Sequence, residues 1–293
     1  MAITRFCHNF AAMNRHFTLI KHRCLFVFLL TVAAQALFAQ RQEEWADKAY
    51  TYAAQDSLAQ AESCFKKAIE ASPASQQSAI LLANLGTIQR RRGKVKEAIE
   101  SYSSALDRIP SSIPILMERA IAYMTLGNDD RAYTDLCNVL DKDATHIEAL
   151  YYRAFIYTNR REYSAARTDY KSLLTTEPSH ENAQLGLALL DQREGRLEAA
   201  EQQLSLLIEC HPENATYWQA RANVLIEQGL YDLALIDLDT AIALQPTDAY
   251  AYVARAELYL KMKRHAAAKE DLLRATSLGL SRTALSDLYE QCK

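Results

Sequence analysis

Glycine and proline are scarce, at seven and six in 293 residues. A chain made of β-strands spends these residues at most strand ends, so an all-β or loop-rich architecture is excluded and helix is favoured. A surplus of positive charge is missing too. Lys and Arg number 33 against 36 Asp and Glu, and without clustered cations to neutralise phosphates the composition argues against a nucleic-acid partner. No long uncharged span suggests a multipass membrane protein. The apolar run from Cys24 to Ala39 would reach about 24 Å as a helix, against a hydrocarbon core of about 30 Å, and Thr31 and Gln35 interrupt it. Disorder is excluded as well, because 49% of the residues are hydrophobic, enough for a large core.

Acidic residues are absent from the first 39 positions, where Arg5, Arg15, Lys21 and Arg23 precede the apolar run. Basic segment, apolar segment and small-residue exit, in that order, make a secretory signal. Residues 1–39 are therefore expected to be removed on export, with Met13 as an alternative start and uncleaved anchoring as the alternative outcome. Ala34-Gln35-Ala36 and Leu37-Phe38-Ala39 both offer an exit, and the second leaves Gln40 as the new N-terminus. Removal takes four cations and no acid, moving the net charge from −3 to −7. The expected location is the periplasm or outside the cell, with no stable membrane span after cleavage.

The rest of the chain repeats itself every 34 residues. Pro110, Pro178, Pro212 and Pro246 keep this register, with Ala144 in the empty place and Pro73 three residues early. If this proline is position 32 of each unit, position 8 is always small: Ala49, Gly86, Ala120, Ala154, Ala188, Ala222 and Ala256. Position 20 is alanine throughout: Ala61, Ala98, Ala132, Ala166, Ala200, Ala234 and Ala268. Small side chains let two helices approach closely, while large ones beside them fill the remaining space. The large ones are Trp45, Trp218 and Tyr252 at position 4, Tyr52, Tyr123, Tyr157 and Tyr259 at 11, and Phe65, Tyr102 and Tyr170 at 24. Gly93, Gly127, Gly195 and Gly229 share position 15, where a first helix ends in a left-handed turn. Asn214 and Asp248 at position 34 suit the cap of the following helix.

These residues resemble the tetratricopeptide repeat family over residues 42 to 281. The resemblance implies an all-α fold: a right-handed superhelical solenoid of seven helical hairpins plus a C-terminal capping helix. The expected units are 42–75, 79–112, 113–146, 147–180, 181–214, 215–248 and 249–281. The cap is 282–293, where Ala284, Leu285, Leu288, Tyr289 and Cys292 form one apolar stripe.

Catalytic and cofactor motifs are not found, so no enzyme, no metal and no cofactor are expected. Four of the glycines serve hairpin turns and none forms a nucleotide loop. His146 and His180 lie 34 apart but lack a repeating carboxylate or cysteine beside them, so solvated loop histidines are the better reading. Cys64, Cys137 and Cys210 are spaced by 73 residues, two repeats plus five, which puts them on hairpins that do not touch. Buried thiols are expected rather than disulfides.

A second pattern is ionic. Arg119, Arg153, Arg221 and Arg255 occupy position 7 in four units, and Asp135, Asp169, Asp237 and Asp271 occupy position 23 in the same four. The other units lack both. Because the concordance holds within units, each pair is expected to bridge the two helices of one hairpin as a structural ion pair.

In the family, first helices line the concave wall and positions 5 and 9 project from it. Here those positions are Met117 and Ile121, Tyr151 and Phe155, and Leu185 and Leu189. An apolar pair in three successive units suggests a partner-binding groove. The family's clamp for a C-terminal carboxylate takes Lys at position 5 and Asn at 9, a combination that no unit has. The expected function is a non-catalytic scaffold or adaptor binding a peptide segment or partner domain in that groove. The alternative is a subunit of a cell-envelope assembly contacting partners by its loop edge, around His146, His180 and Pro212. A homo-oligomer is compatible with either.

Overall fold

The computed structural model describes residues 36–73, 75 and 77–292, which hold fifteen helices and no strand. Most of the proposed leader, residues 1–35, lies outside the described residues, and 36–39 belong to the first helix. No described helix is long and apolar enough to cross a membrane.

The chain forms two compact units, residues 1–142 and 143–293. The first contains α1 (36–54), α2 (Leu58–Ala71), α3 (Gln77–Arg91), α4 (Val95–Leu106), α5 (Ile113–Thr125) and α6 (Asp129–Leu140). The second contains α7 (Ile147–Asn159), α8 (Tyr163–Thr176), α9 (Glu181–Arg193), α10 (Leu197–Cys210), α11 (Ala215–Glu227), α12 (Tyr231–Leu244), α13 (Ala249–Lys261), α14 (His265–Ser277) and α15 (Ser286–Gln291). Within each unit, helices pack in consecutive pairs and each pair stacks on the next.

Close approach is visible at the small residues. All seven position-20 alanines are completely buried, as are the six alanines of position 8. The first helix of each pair ends in a residue with positive φ, and only four of these are glycine. Asp56, Arg161 and Lys263 take the same turn at φ of 56°, 62° and 60°. Side chains resist this region, so three turns are held by hairpin packing against local preference.

Four first helices are capped by the side chain at position 34. The side chains of Asn214 and Asp248 accept from the backbone N–H groups of Thr216 and Tyr250 at 3.1 and 2.9 Å. His146 and His180 do the same, their Nδ1 atoms accepting from Ala149 and Ala183 at 3.3 and 3.2 Å. These histidines are helix caps rather than solvated loop residues, because the first-turn N–H groups need an acceptor and neutral imidazole supplies one. At the C-terminal end, Leu285 is buried, and Leu288, Tyr289 and Cys292 pack on the α13–α14 core. Ala284 lies before α15 and is exposed.

Candidate functional site

The four arginines of position 7 clasp the aspartates of position 23 in their own hairpins. Nε and Nη2 donate to the two carboxylate oxygens at 2.8 and 2.7 Å for Arg119–Asp135 and 2.8 and 2.8 Å for Arg153–Asp169. The distances are 2.8 and 2.8 Å for Arg221–Asp237, and 2.8 and 2.7 Å for Arg255–Asp271. All four carboxylates are buried, and the bidentate geometry satisfies both oxygens of each. The hydrogen bonds donated to Asp135, Asp237 and Asp271 hold the guanidinium groups of Arg119, Arg221 and Arg255 above their ordinary range.

The fork also reaches the preceding hairpin. Nη1 donates to Ser103 from Arg119 and to Ser205 from Arg221, both at 3.0 Å, and to Asp239 from Arg255 at 2.6 Å. Pairing confined to one hairpin is therefore too narrow a description for Arg255. Each of these three cations ties together three helices, since position 7 faces the second helices on either side.

Two hairpins without the pair use another solution, which the pattern at position 7 does not reveal. Gln89 and Asp191 stand at position 11 and meet position 23: Ser101 donates to Gln89 at 2.7 Å, and Gln203 donates to Asp191. The signal was a polar residue where Tyr52, Tyr123, Tyr157 and Tyr259 are aromatic. Asp191 also accepts from Arg167 and Arg196, each at 2.8 Å. Arg167, on the preceding hairpin, bonds Glu194 as well. The junction between the first two hairpins reverses the charges, with Glu62 facing Arg92 and Lys94.

Burial alone would push the Asp191 carboxyl up, but hydrogen bonds from Arg196, Gln203 and Arg167 outweigh it and hold the group below the usual carboxylate range. A depressed folded-state pKa means stability that is present above about pH 4 and lost as pH falls through the folded value. Asp191→Asn is therefore expected to lower the melting temperature at pH 7, with the gap to the wild type narrowing as the pH falls below about 4. A gap independent of pH would refute this linkage.

The six groove residues do not share one environment. In the first unit Met117 is 8% exposed, a core residue, and Ile121 is half-buried. The expectation of an exposed Met117 is thus corrected: its helix α5 is covered by its neighbours in the stack. In the second unit, Tyr151 is half-buried among Tyr152, Tyr170 and His180, with ring centroids 5.5, 6.2 and 5.6 Å away. Leu185 and Leu189 pack on the cluster containing Leu204, Tyr217, Ala220 and Val224. Adjacent first helices α9 and α11 approach closely enough for these leucines to fill the seam. Phe155, at 43%, is exposed.

Other large apolar side chains are exposed on second helices, among them Leu206 of α10 and Leu233 and Ile236 of α12. Cys210 is exposed too, against the expectation of a buried thiol, because it ends α10. Cys64 is buried, and Cys137 and Cys292 are half-buried, with no disulfide among the described residues. No group of three or more metal-ligating side chains occurs among the described residues.

Tetratricopeptide repeat family models match residues 46–113, 157–224, 215–248 and 249–278. A crystal structure of a tetratricopeptide repeat protein from Parabacteroides merdae is 31% identical, with a TM-score of 0.77, covering 86% of this chain and 99% of that one. The Cut9–Hcn1 hetero-tetramer of the APC/C is 16% identical with a TM-score of 0.62, covering 84% of this chain and 54% of that one. YrrB, described as a TPR protein with an unusual peptide-binding site, is 19% identical with a TM-score of 0.52, covering 65% and 97%. These last two show a shared fold alone. No curated protein matches the chain. The chain belongs to the tetratricopeptide repeat family, whose fold serves in general as a non-catalytic scaffold for binding proteins or peptides.

Proposed function

We propose that this protein is an exported, non-catalytic adaptor that holds a peptide segment or partner domain on the first-helix face of its second unit. The observation that carries this reading is Phe155, an aromatic side chain 43% exposed on α7 although the hairpin core does not use it. Exposed aromatics in an interaction fold commonly supply binding energy because they bury much area at little entropic cost. Tyr151, Leu185 and Leu189, half-buried on α7 and α9, add apolar surface to the same first helices, while Met117 and Ile121 are removed from the direct contact set.

Photo-crosslinking from position 155 in envelope extract identifies the partner, and binding is then measured with the purified pair. Phe155→Ala should weaken binding by about 2 kcal/mol, close to thirtyfold, with the melting temperature nearly unchanged. Unchanged affinity would remove Phe155 from the interface. Export rests on the acid-free basic segment ahead of Cys24–Ala39. Intact-mass measurement of the exported protein should show loss of about 36 to 39 N-terminal residues, and a mature chain still starting at Met1 or Met13 would exclude cleavage.

A further inference from the structure

Helix α12 is apolar on two opposite sides. Ala234, Leu238, Ala241 and Ile242 are buried on one. The other carries Leu233, Ile236, Thr240 and Ala243 at spacings of three, four and three residues, the seam of a helix packed against another helix. Leu233 is 51% exposed and Ile236 59%. Large apolar side chains grouped on the solvent side of a helix mark a contact surface. Beside this seam a cleft of about 290 Å³ runs between α10 and α12 over α11, with Trp218 and Leu225 in its lining and Glu201 at its α10 side.

Charge indicates what covers the seam. Helices α10 and α12 contain three Glu and three Asp and neither Lys nor Arg. Asp237 and Asp239 are answered by Arg221 and Arg255. Glu198, Glu209 and Asp232 are exposed, and Glu201 accepts from the neutral amide of Gln228. We propose that the α10–α12 face of the second unit docks a basic amphipathic helix of another protein, its apolar stripe on Leu233 and Ile236 and its flanking Lys and Arg on these carboxylates. A second copy of this chain would set acid against acid across the same seam. From Leu233 to Leu244 the face is about 16 Å long, so roughly three turns of partner helix cover it. The site is separate from Phe155 and stands or falls independently of it.

The test uses the full chain and a fluorescein-labelled synthetic helix with leucine at seam positions and lysine on the flanks, together with its glutamate counterpart. Anisotropy should show the lysine peptide binding at least about tenfold more tightly than the glutamate peptide. Ile236→Gln, a neutral change at an exposed position, should weaken the lysine peptide at least about tenfold with an unchanged melting curve. Glu198→Gln with Asp232→Asn should weaken it severalfold and flatten its salt dependence, whereas Phe155→Ala should leave it unaltered. Equal affinity for the two peptides, or lysine-peptide binding indifferent to Ile236→Gln, overturns the proposal. Self-association that Ile236→Gln abolishes would overturn it in favour of a second copy.

Discussion

Asp237→Ala is expected to lower the unfolding free energy by about 3 kcal/mol, the lower end of the range for breaking a buried ion pair. Asp237 is 3% exposed and receives two hydrogen bonds from Arg221. Without it the guanidinium keeps Ser205 and its position over the Trp218 ring, 5.1 Å from the centroid, but loses its counter-charge. The Arg221 side chain retains 21% exposure, and that access to water is why the cost stays at the low end. Replacing both partners, Arg221→Leu with Asp237→Gln, should cost less than Asp237→Ala alone, because no charge is left behind. That pair copies Leu187 and Gln203 of the preceding hairpin, although Gln203 is served there by Asp191. Urea unfolding of the wild type, Arg221→Leu, Asp237→Gln and the double variant gives the coupling. Additivity between Arg221 and Asp237 would show that the observed contact contributes no pairwise stability.

Tyr102→Ala should cost about 4 kcal/mol, as large aromatic deletions in packed cores do. The ring is fully buried, and burial pushes its phenol up to about 12, so the hydroxyl stays protonated and donates to Glu118 at 3.1 Å. The ring lies against Gly86, where an added Cβ would stand 2.7 Å from the nearest ring carbon. Gly86→Ala should accordingly destabilise the wild type by about 1–2 kcal/mol, overpacking outweighing the better helix propensity of alanine. In the Tyr102→Ala background the space is open, and the same substitution should stabilise by up to about 1 kcal/mol. This reversal of sign is the measurement to make, by thermal unfolding of all four proteins. A Gly86→Ala effect of the same sign in both backgrounds would mean that the ring does not set the residue allowed at position 86.

The repeat was legible from particular residues. Alanine at position 20 in every unit and a small residue at position 8 demand close helix approach wherever they occur, so the hairpins follow from local chemistry. The Arg–Asp concordance was legible for the same reason: two residues sixteen apart on one hairpin vary together, and their chain separation fixes their spatial relation. The polar pairs from position 11 to 23 were overlooked because aromatic residues at position 11 in other units masked a second use of the site. His146 and His180 looked like loop residues because histidine is an uncommon cap, and the unfilled N–H groups that recruit them appear only once the helix start is placed.

Which apolar side chains face outward was beyond the sequence. Met117, Leu185 and Ile236 are similar in size and hydrophobicity, yet the first is buried, the second fills a seam, and the third is 59% exposed. The sequence by itself determined the helices, the hairpin pairing and the residues that let helices touch, because these depend on contacts within about 34 positions of the chain. Only the tertiary structure decided the free surface. Exposure depends on how far each hairpin's neighbours extend over it, and that distance is set by packing between adjacent hairpins rather than within one.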